Sequence, residues 1–278
     1  MLVRDYFKVP YTEGDVGVEI EVEGANLPKG DHLWRKDNDG SLKPLQEAAE
    51  YILRSPVPIN DIAKALIALK NNFEASKATV DNTYRAGIHV HVNVQDLTMP
   101  QMVTMVLLFI IVEDMFLNFC DKSRQGNHFC LRTSDASYFT EKLWEACEQN
   151  DPRLFQTDDL RYSAINLQSL HKYGSIEFRA LESTQDYNKI VVWCKMLHAL
   201  KLGAIKYQSP EHLIRSFSMD GFEPILREIL GGYFTPLTSY ASWKIKARAG
   251  LLRAQDIAFC RDWGKINLNI FAKNKEVF

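Results

Sequence analysis

Gly17-Val18-Glu19-Ile20-Glu21-Val22-Glu23 alternates apolar and charged residues without interruption. That is the period-two pattern of a strand with one buried face. Val16, Val18, Ile20 and Val22 point to one side, and Glu19, Glu21 and Glu23 to the other. Same-face neighbours on a strand stand roughly 7 Å apart, so three carboxylates in a row repel unless water or a cation intervenes. A solvated face of an antiparallel sheet satisfies the pattern as well as a cation site does. This strand alone leaves both open.

Two later stretches repeat the design with complementary chemistry. In Gly87-Ile88-His89-Val90-His91-Val92-Asn93-Val94 the aliphatic residues share one face, and His89, His91 and Asn93 share the other. One histidine facing a core is usually a satisfied structural residue. Two on one face, followed by Asn, favour function, because neutral imidazole binds metals and phosphate oxygens. In Gly174-Ser175-Ile176-Glu177-Phe178-Arg179-Ala180, Glu177 and Arg179 stand opposite Ile176 and Phe178. Taken alone, a surface ion pair accounts for them. Placed in one sheet, the three polar faces converge. Carboxylates hold Mg²⁺ or Mn²⁺, and Arg grips phosphate through two parallel hydrogen bonds. A donor set dominated by carboxylate oxygen suits those ions better than zinc. On charge repulsion alone, Glu19→Gln or Glu21→Gln should leave the fold intact or more stable.

Around these strands the chain reads as follows. Residues 1–15 lead into the first strand, and Asn38-Asp39-Gly40 makes a tight turn between two extended pieces. Glu50 to Pro56 fits either a helix end or a strand closed by Ser55-Pro56. Ile59, Ile62, Leu66, Leu69 and Phe73 recur at helical spacing, predicting a helix over 59–76 capped by Asn60. A buried helix runs from its cap Thr98 to about Asp121, with Pro100 in the first turn. A loop over Ser123–Asp135 and a short helix over 136–149 come next. Ala164–Leu170 and Ser175–Leu181 read as strands on either side of a His171–Gly174 turn, and Thr184 caps a long helix to about Tyr207. Residues 211–262 are helical in pattern, broken by Gly231-Gly232 and Pro236. No repeat, low-complexity tract or rich linker divides the chain. One domain over 1–278 is expected, with a core of about 15–210 and a helical C-terminal extension of about 211–278. Early strands and late helices predict an α+β fold with a largely antiparallel sheet.

With 278 residues, 46% hydrophobic and 24% charged, and a formal net charge of −2, the composition is that of an ordinary soluble globular protein. The charge balance argues against a dedicated nucleic-acid or membrane-surface binder. The cysteines form no Cys-x-x-Cys pair, which predicts a reduced, cytoplasmic setting. The N-terminus lacks the apolar run of a secretory signal, and Met102 to Val112 is too short to span a bilayer. There is no Gly-x-x-x-x-Gly-Lys-Ser/Thr, no Gly-x-Gly-x-x-Gly after a strand and no Gly-x-Ser-x-Gly. A nucleotide, if bound, must sit on the sheet through metals and arginines.

Five motifs follow in order: Gly17-Val18-Glu19-Ile20-Glu21, Asp39-Gly40-Ser41, Glu50 before Ser55-Pro56, Gly87-Ile88-His89-Val90-His91, and Arg161-Tyr162-x-x-Ile165-Asn166 before Gly174-Ser175-Ile176-Glu177-Phe178-Arg179. Together they resemble the amidoligase family of bacteria and phages, carboxylate–amine ligases like glutamine synthetase and glutamate–cysteine ligase. Arg124-x-x-Asn127-x-Phe129-Cys130 resembles a loop motif of the same family. The resemblance covers about residues 15–185. It implies a curved antiparallel sheet with helices on its convex side and the site on its concave face. It also implies use of ATP and Mg²⁺ or Mn²⁺ to convert a carboxylate to an acyl phosphate, which an amine attacks.

By the same resemblance, Glu19, Glu21, Glu177 and His91 would ligate metal. His89, His91, Asn166 and Arg124 would contact the cofactor. Arg161 and Arg179 would hold phosphate, while Asp39 and Glu50 would line the substrate or metal pocket. The chain departs from the pattern at Ala180–Thr184, where a His and a Gly-Thr are expected, so substrate contacts there are not carried over. The implied partners are a carboxylate and an amine, the latter on a metabolite, peptide, protein or modified nucleobase. A metal-dependent hydrolase could also use His-x-His, but the other histidines (His32, His128, His171, His198 and His212) fall in loop or helix stretches. A silent binding protein on this fold would show a lost metal carboxylate, and none is lost.

Overall fold

The computed structural model describes residues 1–42, 47–81, 83–149, 151–156 and 162–259. The alternating glutamate stretch is strand β1 (Val16–Ala25), set inside a seven-stranded sheet. The other strands are β2 (Trp34–Asp37), β3 (Glu47–Leu53), β4 (Thr79–Asp81), β5 (Gly87–Asn93), β6 (Ile165–Asn166) and β7 (Ser175–Glu182). Their order is β2-β3-β1-β5-β7-β6, with β4 paired to the far end of β1, and every pairing is antiparallel. The ambiguous segment around Glu50 is therefore a strand, held by β1 on one side and β2 on the other. β5 and β7 slip register between Ile88 and Val90, so Arg179 and Ala180 together stand opposite His89. This bulge keeps Phe178 and Leu181 on one face while turning Arg179 to the other.

The apolar face is the core. Val18, Ile20, Val90, Val92, Ile176 and Phe178 are buried there. Three short or medium helices precede or flank the sheet: α1 (Val3–Phe7), α2 (Ile62–Ser76) and, after the long α3 (Met99–Phe119), α4 (Ser137–Gln149). Trp34 donates its indole N–H to the Ala65 carbonyl at 2.9 Å, clamping α2 to the β2 edge. α3 begins in a capping box of Thr98 and Gln101 and packs Phe109 against Phe178, ring centroids 5.0 Å apart. It is long and apolar enough to cross a membrane, yet 83% of that stretch is buried inside the fold. α3 is a core helix.

Several boundaries differ from expectation for local reasons. α2 begins after Asp61 rather than Asn60, and no side chain caps it. The strand predicted over Ala164–Leu170 shrinks to β6, because the Asn166 side-chain oxygen accepts the Gln168 N–H at 3.0 Å and turns the chain into α5 (Ser169–Tyr173). The long helix α6 (Tyr187–Tyr207) is capped by Asp186, which accepts the Lys189 N–H, while Thr184 accepts from Asp186 itself. Up to residue 259 the helical end divides into α7 (Pro210–Asp220), α8 (Phe222–Leu230), α9 (Phe234–Leu237) and α10 (Trp243–Ala258), and the rest of the expected extension lies outside the described residues. Gly221, at φ 86°, makes a break that the pattern did not reveal, and Pro236 falls inside α9 instead of ending a helix. α10 crosses α3 closely enough that a Cβ at Gly250 would meet the Ile110 carbonyl oxygen at 2.5 Å.

Candidate active site

The register brings the three polar faces into one row across β7, β5, β1 and β3. Glu19 pairs with His89, His91 with Glu177, and Glu21 with Glu50 directly opposite. Like charges in that last arrangement destabilise a sheet unless something neutralises them. The face is not solvated: Glu21 is 4% exposed and Glu177 5%. The Glu177–Arg179 ion pair is likewise buried rather than superficial. Glu23 stays outside the row, opposite Ala48 and Asp81.

Among the described residues, three groups each bring their donor atoms within 4.8 Å of one another: Glu19, His91 and Glu177; Glu19, Glu50 and His89; and Glu21, Asp39 and Glu50. Glu19 belongs to the first two and Glu50 to the last two, so the groups form a continuous chain of donors. His89 Nδ1 is 3.3 Å from Glu19 and 3.5 Å from Glu177, with Nε2 3.6 Å from Glu21. His91 Nδ1 meets Ser175 Oγ at 3.1 Å. Its buried Nε2 makes no aligned hydrogen bond, although Glu19 Oε1 is 3.3 Å away. A buried imidazole nitrogen left over among carboxylates fits a divalent cation. So does the oxygen-rich donor set, which favours Mg²⁺ or Mn²⁺.

Electrostatics separate the carboxyls. Burial opposes ionisation of Glu19, but His91 and His89 outweigh it and hold the carboxyl far below its usual range. Burial likewise opposes ionisation of Glu177, and the adjacent Arg179 overcomes it. Burial raises Glu21, only partly offset by His89. Glu50 goes furthest: burial, then repulsion by Glu19, Glu21 and Asp39, pushes it up to about 9.

Glu50 thus holds a proton at neutral pH in the metal-free protein. Its folded value lies above the ordinary 4.5, so stability from this group is full below about pH 4.5 and is lost as pH rises towards 9. A cation that takes the Glu50 oxygen must expel that proton. Titration with Mn²⁺ at about pH 7.5, in buffers of different ionisation enthalpy, should release about one proton that Glu50→Gln does not release. Proton release that is the same in both proteins would show Glu50 to be ionised beforehand.

Two clefts open on this row and share Glu19. One, of about 280 Å³, is walled by Thr12, Arg35, Ile52, Arg54, Pro56 and Tyr173, with His91 at its base. The other, of about 310 Å³, is bounded by Asp39, Glu50, Arg85, Phe129, Tyr162 and Arg179. Arg124 reaches the second cleft but is 1% exposed, and its terminal nitrogens donate to the carbonyls of Arg179 at 2.8 Å and Tyr84 at 3.4 Å. Asn166 donates to Glu177 Oε2 at 2.7 Å. In this structure both bond to members of the row, Arg124 to the Arg179 carbonyl and Asn166 to the Glu177 carboxylate. Arg161 lies outside the described residues.

Sequence reasoning missed Arg35, Arg54, Arg85, Tyr173 and Ser175 as lining residues. Ser175 could have been found, since it shares the alternating face of Glu177 and Arg179. The others are single residues without a pattern: Arg35 within β2, Arg54 just after β3, Arg85 just before β5 and Tyr173 at the end of α5. Asn93, grouped with the histidines by alternation, donates instead to the carbonyls of Thr12 and Gly14, pinning the N-terminal segment that borders the first cleft.

The model of a family described as "Putative amidoligase enzyme" matches residues 35–201. The match runs from β2 into α6 and includes Glu50, His89, His91, Glu177 and Arg179, with β1 lying ahead of it. No curated protein matches the chain.

Proposed function

Because the chain belongs to the amidoligase family, a family of ligases, we propose that it joins a carboxylate to an amine at the cost of ATP, with divalent metal, through an acyl phosphate. The observation that carries this reading is the chain of three donor groups strung on Glu19 and Glu50, with Arg179 set among them. Glu19, Glu21, Glu177 and His91, completed by Glu50, Asp39 and His89, would hold Mg²⁺ or Mn²⁺. Bound there, the metal supplies charge neutralisation for phosphate oxygens.

The first cleft, with apolar walls, Tyr173 and two arginines, suits the nucleotide. The second, with carboxylates and Arg179, suits the acid and the amine. A carboxylate oxygen of the acid attacks the γ-phosphorus and ADP leaves. The amine nitrogen then attacks the acyl carbon and phosphate leaves. Arg179 offers its planar fork to the phosphoryl oxygens, a stabilisation strongest as their charge is redistributed. A carboxylate of the second cleft left free of metal helps to deprotonate the incoming ammonium. Phe129 and Tyr162 line the second cleft and help exclude water from the acyl phosphate.

Purified protein with Mg²⁺, ATP and fractionated cell extract should yield ADP and phosphate in equal amounts. An ¹⁸O label from the acid should appear in the phosphate. AMP and pyrophosphate as products would reject the acyl phosphate. Mass spectrometry of active cells against a Glu19→Gln control would then identify the joined product.

A further inference from the structure

Arg85 lies two residues ahead of β5 and lines the second cleft. Its guanidinium sits 5.3 Å from the Tyr84 ring centroid and 5.6 Å from that of Phe129. One nitrogen donates to the Ser41 carbonyl at 3.3 Å. Among the described residues no carboxylate pairs with it, whereas Arg179 is engaged by Glu177 and Arg124 by two carbonyls. A guanidinium carries five donors, so most of this fork is left for a ligand, and the two rings hold its plane at little entropic cost.

We infer that Arg85 grips a second anionic group on the acyl donor, making it a specificity-determining residue for acids with two anionic ends. The inference rests on the ligase reading of the same cleft. The reacting carboxylate belongs at the donor row beside His89 and Arg179. Gly87, whose N–H donates to Glu21 at 2.7 Å, marks the edge of that row, and Arg85 lies beyond it. From His89 to Gly87 is roughly 7 Å along the strand. A ligand reaching from the row to Arg85 is therefore a short chain charged at both ends. An acid with one charge would place its neutral tail against Arg85 and strip water from donors it cannot pair, which is how such sites reject near-analogues.

The test is calorimetry on the full chain loaded with Mn²⁺ and ADP. The probes are glutarate, adipate, 3-phosphonopropionate and butyrate. A doubly charged probe should bind about tenfold or more tightly than butyrate. Glutarate or adipate ahead of the phosphonate assigns the second group to a carboxylate, and the reverse order to a phosphate. The preference should vanish in Arg85→Met and survive in part in Arg85→Lys, with Mn²⁺ affinity unchanged in both. Equal binding of all probes by the wild type, or a preference that persists in Arg85→Met, overturns the inference. So does a loss of Mn²⁺ affinity in both variants, which would leave Arg85 only to support the Asp39–Ser41 turn. None of these results touches the ligase reading, which falls instead if the wild type binds no Mn²⁺.

Discussion

Arg179→Lys should lower kcat by about 100-fold or more, the loss typical of one oriented transition-state donor, while ATP affinity and melting temperature change little. Lys keeps the charge that Glu177 needs but loses the planar fork. In the structure the Arg179 guanidinium bonds Glu177 and lies 3.4 Å from His89 Nδ1, in the middle of the donor row. A cation bound by Glu177 would compete with Arg179 for that carboxylate and so free the fork for a phosphoryl group. Arg179→Met tests that competition. Breaking a buried pair should cost about 3 kcal/mol or more. If Glu177 donates to metal as proposed, Mn²⁺ should restore much of the loss. Urea denaturation with and without Mn²⁺ measures the restoration, and single-turnover kinetics measures the chemistry. Near-normal turnover in Arg179→Lys would remove the residue from the mechanism.

The site was legible in the sequence where it is periodic. Alternation in β1, β5 and β7 separates Glu19, Glu21, His89, His91, Glu177 and Arg179 from the core residues, because side chains on a strand point alternately to its two faces. The order of the strands is not written in any one of them. That β1 lies between β3 and β5, so that Glu21 confronts Glu50, depends on pairing between distant segments. Hence the strand around Glu50, and the raised carboxyl it carries, emerged only from the fold.

The walls of the clefts were the least legible part. Arg35, Arg54 and Arg85 are scattered cations in or beside strands, and such residues look like any solvated charge in the sequence. Asn93 and Asn166 show the opposite difficulty. Both fall where the pattern or the family resemblance suggests ligand contacts, yet their side chains bond to the protein itself. At Ala180–Thr184, where the chain departs from the family pattern, Ser183 donates to the Glu21 carbonyl at 2.7 Å and Glu182 pairs with Lys189. That segment braces β1 rather than presenting a side chain to the cleft.

Glu19→Gln should weaken Mn²⁺ binding by about 100-fold or more, since even outer partners of metal ligands cost up to that much. Glu19 is the residue shared by the His91–Glu177 group and the His89–Glu50 group, so a single amide would disable both candidate positions together. Repulsion along β1 suggested that the change would leave the fold as stable or more so. The structure reverses that sign. The Glu19 carboxyl is held below its usual range by His91 and His89, so the attraction it gains on folding exceeds both its burial and its neighbours' repulsion. A lowered acid contributes stability above its unfolded value that is lost only as pH falls, so at neutral pH the Gln variant should be the less stable protein. The relief of repulsion appears elsewhere. Glu19 is the foremost of the charges that lift Glu50, so in the variant Glu50 should titrate well below about 9. Carboxyl ¹³C shifts across a pH series would follow that titration, and calorimetry would follow Mn²⁺. Unchanged Mn²⁺ affinity together with an unmoved Glu50 would leave Glu19 as a mere partner of the two histidines, and the row would then be no metal site.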